Sequence, residues 1–326
     1  MRTCHLLAVW FFLAPGAFAE RAALAVVEKI AGAVGFYTAD GRRLVGVPVG
    51  KVPHEIIRSP DGRYLYVSDN GILWMTEPGE GGNTISIIEL ESRSKIGVID
   101  LGNFRRPHGM DIDPRSGRMV VTIENPHGLL LVDPVQRRVL KKYDVQGRSP
   151  HMVLFGPGGE RAYVSNTGSA TVAAVHLATG RVKLIPTDGR PQGGVRSPDG
   201  RFIYVTNSDG NSISIIDAGL QERAGVIRTG KGPGRIALTP DGKTLVYNLQ
   251  AGEAVGFADV ASRKETLVLP LGGRPLSLTM SADGRTAYAG VQDQDRIFVI
   301  SVPERRIVRV IETPKGAGPD PALPLF

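Results

Sequence analysis

Three histidines each follow a proline: "VPHE" at 52–55, "RPHG" at 106–109 and "SPHM" at 149–152 supply His54, His108 and His151. Three neutral imidazoles with a fourth position open to water are what a catalytic zinc or similar divalent ion needs. An ion so held lowers the pKa of its bound water or polarises a carbonyl. The plainer reading of the same residues is hydrogen bonding to nearby backbone, or anion binding when protonated. Their spacing makes no linear motif, so any convergence has to come from the fold.

The prolines themselves show what that fold is. Pro53, Pro107, Pro150, Pro191, Pro233, Pro275 and Pro319 recur every 41 to 44 residues after a first step of 54. Downstream of each of the first six lies a turn: "SPDG" at 59, "DPRSG" at 113, "GPGG" at 156, "SPDG" at 197, "TPDG" at 239 and "SADG" at 281. One unit, residues 190–230, reads as four short strands, "RPQGGVRS", "RFIYVTN", "SISIIDA" and "RAGVIRTG", separated by Gly- and Asp-rich turns. Helical periodicity is absent. The pattern predicts an all-β, seven-bladed β-propeller with four-stranded antiparallel blades, since no such unit buries both of its faces alone. Residues 22–50 supply three strands without an opening Pro strand, and "GPDPALPLF" at the end supplies an opening strand alone. Pairing of N- and C-terminal strands therefore closes the seventh blade, and residues 20–326 are expected to form a single domain.

The quoted stretch "SPDGRFIYVTNSDGNSISIID", with the variants "YVSD", "YVSN" and "LVYN", resembles the YVTN repeat of bacterial seven-bladed β-propellers over essentially the whole chain after residue 20. That resemblance is specific for fold and not for function: similar propellers serve as lactonases, lyases, haem d1-binding domains and plain binding scaffolds. The asparagines of the repeat, Asn166, Asn207 and Asn248, are expected to bond local backbone.

The residues after the seven prolines should ring one mouth of the central channel: His54, His108, His151, Gln192, Gly234, Leu276 and Asp320. Proline fixes φ at every blade crossing, so it is structural, whereas only three consecutive blades carry histidine. Blades about 51° apart allow three such imidazoles to reach one point. Arg106, Arg190 and Arg274 precede ring prolines and Arg235 sits two past Pro233; arginines converging there would receive a carboxylate or phosphate. Glu55, next to His54, and Glu124 in "IENPHGLL" are the candidates for moving a proton. His127 is either a further polar member of the site or a turn residue. The long first step falls in "DNGILWMTEPGEGGN", 69–83, which is either a lid bearing Trp74 or a tolerated surface insertion.

Other classes find little support. With 6% aromatics and scattered charge (formal net +7), the chain offers no stacking or basic stripe for nucleic acid. No "G-x-S-x-G", Cys-His pair or phosphate loop is present. Arg2, the apolar run Leu6–Leu13 and Ala17-Phe18-Ala19 read as a cleaved secretory signal, residues 1–19, too short to span a bilayer. The only cysteine, Cys4, lies inside it, so no disulfide or thiolate metal site follows. The expectation is a periplasmic or secreted propeller binding a small anionic or lactone-like molecule. His54, His108 and His151 would hold a divalent metal (zinc, calcium, manganese or copper), with Arg106, Arg190, Gln192, Arg235, Trp74 and His127 at the substrate. The alternative is a non-catalytic scaffold, holding a macrocycle if the resemblance to haem d1 propellers extends so far. A protein partner has no support in the sequence.

Overall fold

The computed structural model describes residues 20–326; the expected leader, residues 1–19, lies outside them. The chain forms seven four-stranded antiparallel sheets. Blade I runs through the strands Pro53–Arg58, Tyr64–Asp69, Thr84–Glu89 and Ser94–Asp100. The inner strands of blades II to VI are Arg105–Ile112, Pro150–Phe155, Pro191–Arg196, Pro233–Leu238 and Pro275–Met280. Blade VII pairs the C-terminal strand Pro319–Pro324 with Leu24–Glu28, Ala33–Tyr37 and Arg43–Pro48, so the two ends of the chain meet in one sheet. Among the described residues no helix is long and apolar enough to cross a membrane.

The repeated turn is a small hydrogen-bonded device. Ser59 Oγ donates to Asp61 Oδ1 at 2.6 Å while accepting from Tyr64 N, and Gly62 supplies the left-handed residue at φ 75°. Ser197–Asp199, Thr239–Asp241 and Ser281–Asp283 repeat the first bond at 2.6 Å. Between turns the strands alternate so that each blade buries both faces against its neighbours. Seven apolar clusters result, one per interface; Tyr66, Ile85, Met110, Val121 and Leu130, for example, join blade I to blade II.

The ring around the channel depends on two further features. Each inner strand of blades I to VI shifts register just after its proline, as between Pro53 and Ile56 or Pro107 and Met110. Such a bulge re-aims the side chains that follow it, here into the channel mouth. Hydroxyls then tie one blade to the next: Thr122 Oγ1 donates to the carbonyl of His151 at 2.6 Å, and Ser277 Oγ to that of Asp320 at 2.6 Å. Gly109 must lack a side chain, because a Cβ there would collide with the His151 carbonyl. The repeat asparagines do not make the expected bonds to adjacent backbone. Asn248 Nδ2 donates to Pro275 O of the following blade at 2.8 Å, and Asn207 Nδ2 to the hydroxyls of Ser212 and Ser214.

Candidate functional site

A cavity of about 210 Å³ opens at the mouth, lined by six of the seven ring residues, His54, His108, His151, Gln192, Leu276 and Asp320. In blade V the ring residue is glycine, and Arg235, the next residue, lines the wall instead. The volume lies below the ~300–1,000 Å³ usual for drug-sized ligands, which suits a small metabolite.

The three imidazoles converge. Ring centroids of His54 and His108 are 4.6 Å apart, those of His108 and His151 4.2 Å, and the residues are only 5%, 5% and 9% exposed. His54 Nε2 lies 2.7 Å from the carbonyl of Ile72, and His54 Nδ1 lies 3.0 Å from His108 Nε2. A carbonyl only accepts, so His54 carries its proton on Nε2 and presents a lone pair at Nδ1. His108 then donates from Nε2, which leaves its Nδ1 bare; that atom is buried with no hydrogen-bond partner, as is Nδ1 of His151. Burial holds all three rings well below the usual histidine pKa. The charge of Lys29 adds to this at His54, the other two imidazoles at His108, and Arg235 with Lys29 at His151.

Among the described residues no cluster of three or more His, Cys, Asp or Glu is disposed as a ready metal cage. The donor chemistry nonetheless fits a metal in part: His54 Nδ1 and His108 Nε2 are 3.0 Å apart, against roughly 3.3 Å between two nitrogens on one tetrahedral zinc. Imidazole nitrogen suits zinc or copper and not calcium, which takes oxygen.

Charged groups at the mouth fall into two kinds. Lys29 Nζ binds Asp320 Oδ2 at 3.0 Å, both side chains buried. Arg235 reaches across the channel to bind Glu55, also buried. Burial raises the Glu55 pKa and the Arg235 charge opposes that rise, so Glu55 is an ion-pair strut under the cavity and does not line it. Arg190 and Arg274, by contrast, line the cavity with no carboxylate partner among the described residues.

The 69–83 segment leans over this cavity, contributing Leu73, Trp74, Met75 and Thr76 to its wall. Arg106 is what fastens it: Nη2 donates to the carbonyls of Glu77 (2.8 Å) and Gly79 (2.6 Å), and Nη1 lies 3.5 Å from Glu124 Oε2. Arg106 and Glu124 therefore do not line the cavity; both are engaged by the overhanging loop, and burial raises the Glu124 pKa. His127 is exposed at the start of the strand His127–Asp133, away from the mouth. The structure brings His54, His108, His151, Arg190, Gln192, Arg235 and Trp74 together. Lys29 and Gln250 also line the cavity and were missed. Both sit in the turn between second and third strands of their blades or its equivalent in blade VII, the position that the 69–83 insertion occupies in blade I, so the repeat register carried a signal for them.

Fold and site thus define a seven-bladed β-propeller with a cation-rimmed, imidazole-floored mouth. No protein-family model matches the chain. Over 172 residues it is 29% identical to hydrazine synthase subunit beta of Kuenenia stuttgartiensis, a match taking in 50% of this chain and 40% of that one, so the chain spans well under half of that relative's length. Among solved structures it is similar to the periplasmic gluconolactonase of Pseudomonas aeruginosa (TM-score 0.75, 16% identity, 93% of this chain and 99% of that one). It is also similar to a dihydro-heme d1 dehydrogenase (TM-score 0.65, 17% identity, 93% and 67%). At these identities the likeness is one of fold.

Proposed function

We propose that the channel mouth binds a small organic anion and that the imidazole cluster acts on it, in lactone hydrolysis or an elimination. The observation that carries this reading is the pairing, in one cavity, of two carboxylate-free guanidinium groups with three neutral imidazoles. Arg190 and Arg274 hold the anionic group, Gln192 adds an amide, and Trp74 covers the ligand. The imidazole cluster is the acceptor for a proton from the substrate or from water, with His54 fixing the tautomer of His108 through the Ile72 carbonyl. In the metal-bound alternative His54, His108 and His151 would hold zinc or copper, the His54–His108 hydrogen bond would give way to the metal, and the ion would supply the chemistry of acidifying water or polarising a carbonyl.

A second reading, a binding scaffold without chemistry, has one specific observation in its favour: the partial match to a subunit of hydrazine synthase. A periplasmic or secreted location is part of both readings, supported by the leader-like residues 1–19 and by the periplasmic relative of the same fold.

The test uses protein purified without chelators or an affinity-tag metal, assayed for bound metal and colour, then for binding and turnover of gluconate and glucono-δ-lactone. Lactone turnover abolished by His108→Ala, with gluconate still bound, supports the enzyme. Gluconate binding without turnover of any small lactone supports the scaffold, and a Soret-like band would add a macrocycle to it. A colourless, metal-free protein in which the triple His→Ala variant binds and reacts unchanged ends both.

A further inference from the structure

We propose that the mouth selects ligands with two anionic groups, a short dicarboxylate or its chemical equivalent, held between Arg190 and Arg274. This rests on the reading of the mouth as an organic-anion site and narrows it.

Four cations line the cavity, Lys29, Arg190, Arg235 and Arg274. Two of them are closed off. Lys29 with Asp320 and Arg235 with Glu55 are buried pairs, and drawing either cation to a ligand would strand a buried carboxylate. The remaining two are free of carboxylates among the described residues and exposed toward solvent at the rim. They occupy the same repeat position, the residue before the ring proline, in blades IV and VI. Blade V stands between them and carries Gly232 there, with no side chain to intervene. The mouth therefore presents two guanidinium groups from blades two apart in the ring, in the same cavity as the imidazoles of blades I to III.

What a guanidinium at this position can reach is shown in blade II. Arg106, also directly before its proline, extends to the overhanging loop and binds the carbonyls of Glu77 and Gly79. Arg190 shares its left-handed backbone, φ 46° against 55° for Arg106, as do Val52 (44°) and Ser149 (53°) before their prolines, whereas blades V and VII have Gly232 and Gly318 at φ 68° and 61° and Arg274 of blade VI does not take this conformation. Arg106 has backbone oxygens to bind; Arg190 and Arg274 have a cavity. Each guanidinium accepts one carboxylate in a paired, charge-assisted contact, and two such groups on separate blades call for two charges on one ligand.

Trp74 supplies the readout. It is the sole tryptophan of residues 20–326, which by themselves make the closed ring, and its ring lies 5.9 Å from the Arg274 guanidinium carbon and 5.7 Å from Lys29 Nζ. The experiment titrates protein of residues 20–326 with succinate, butyrate, glutarate, pentanoate and sulfate, following Trp74 emission and heat of binding. At least one dicarboxylate is expected to bind tenfold or more tightly than the monocarboxylate of equal length and than sulfate. Arg190→Gln and Arg274→Gln should each cut that preference below threefold, while Arg181→Gln, on the outer surface away from the mouth, leaves it intact. Equal binding of mono- and dicarboxylates overturns the two-charge selection and leaves the anion-site reading standing. So does sulfate binding as tightly as any dicarboxylate. A protein with a normal thermal transition that binds none of the carboxylates loses both.

Discussion

His54 Nε2 donates to the carbonyl of Ile72 at 2.7 Å, and through that single bond the overhanging loop sets the protonation of two rings. Ile72 belongs to the 69–83 segment, so the loop is coupled to the imidazole floor as well as covering it. With His54 Nδ1 obliged to accept, His108 is obliged to donate, and the lone pair of His108 Nδ1 is directed elsewhere. The position of the loop and the chemistry of the floor are therefore one variable.

Acid should destabilise the fold through these rings. Their native pKa values lie well below the ordinary 6.5, so below about pH 6.5 the unfolded chain gains protons that the native state refuses. Stability then falls with pH by up to about 1.4 kcal/mol per pH unit per imidazole. Asp111, pushed up to about 6 by burial, and Glu55 and Glu124, also raised, act in the opposite sense and are common to wild type and variant. Denaturant midpoints of wild type minus the triple His→Gln variant, measured from pH 7.5 to 5, should show the slope. An unchanged difference across that range would contradict it.

Arg106→Ala should release the loop without unfolding the propeller. The substitution removes bonds to the Glu77 and Gly79 carbonyls and leaves the buried Glu124 carboxylate without its cation, a loss of roughly 1.5–3 kcal/mol. Limited proteolysis should cut first within 69–83, and Trp74 emission should shift to the red. Cleavage elsewhere, with the loop still protected, counts against Arg106 as its fastener.

The Arg235–Glu55 pair spans the channel with both side chains nearly buried. Arg235→Met strands Glu55 and should cost about 3–5 kcal/mol, whereas Glu55→Gln with Arg235→Met together should recover most of it. Chemical denaturation of the two singles and the double closes the cycle. Additive losses would mean the pair is not coupled.

Truncation after residue 318 removes the innermost strand of blade VII, Pro319–Pro324, and with it the contact that closes the ring. Ala322 is lost with it, and Leu24, Val26 and the rest of the apolar cluster between blades VI and VII become exposed. Loss of the cooperative thermal transition is expected. A truncated protein that melts at the wild-type temperature would show that closure contributes little.

Much of this architecture is written locally. A Ser-x-Asp-Gly turn, a proline at each blade crossing and alternating apolar strands every 42 residues or so act within one unit, so blade number, the closure of blade VII and the identity of the ring residues follow from the sequence. The convergence of His54, His108 and His151 follows too, because it depends only on register. Which side chain each charged group chooses does not. Arg235 finds Glu55 across 180 residues and Lys29 finds Asp320 across 291. Arg106 and Glu124 turn to an irregular loop whose path no periodicity encodes. Those choices are settled by distances of a few ångströms between blades and by the cost of burying an unpaired charge, quantities that exist only once the ring has closed.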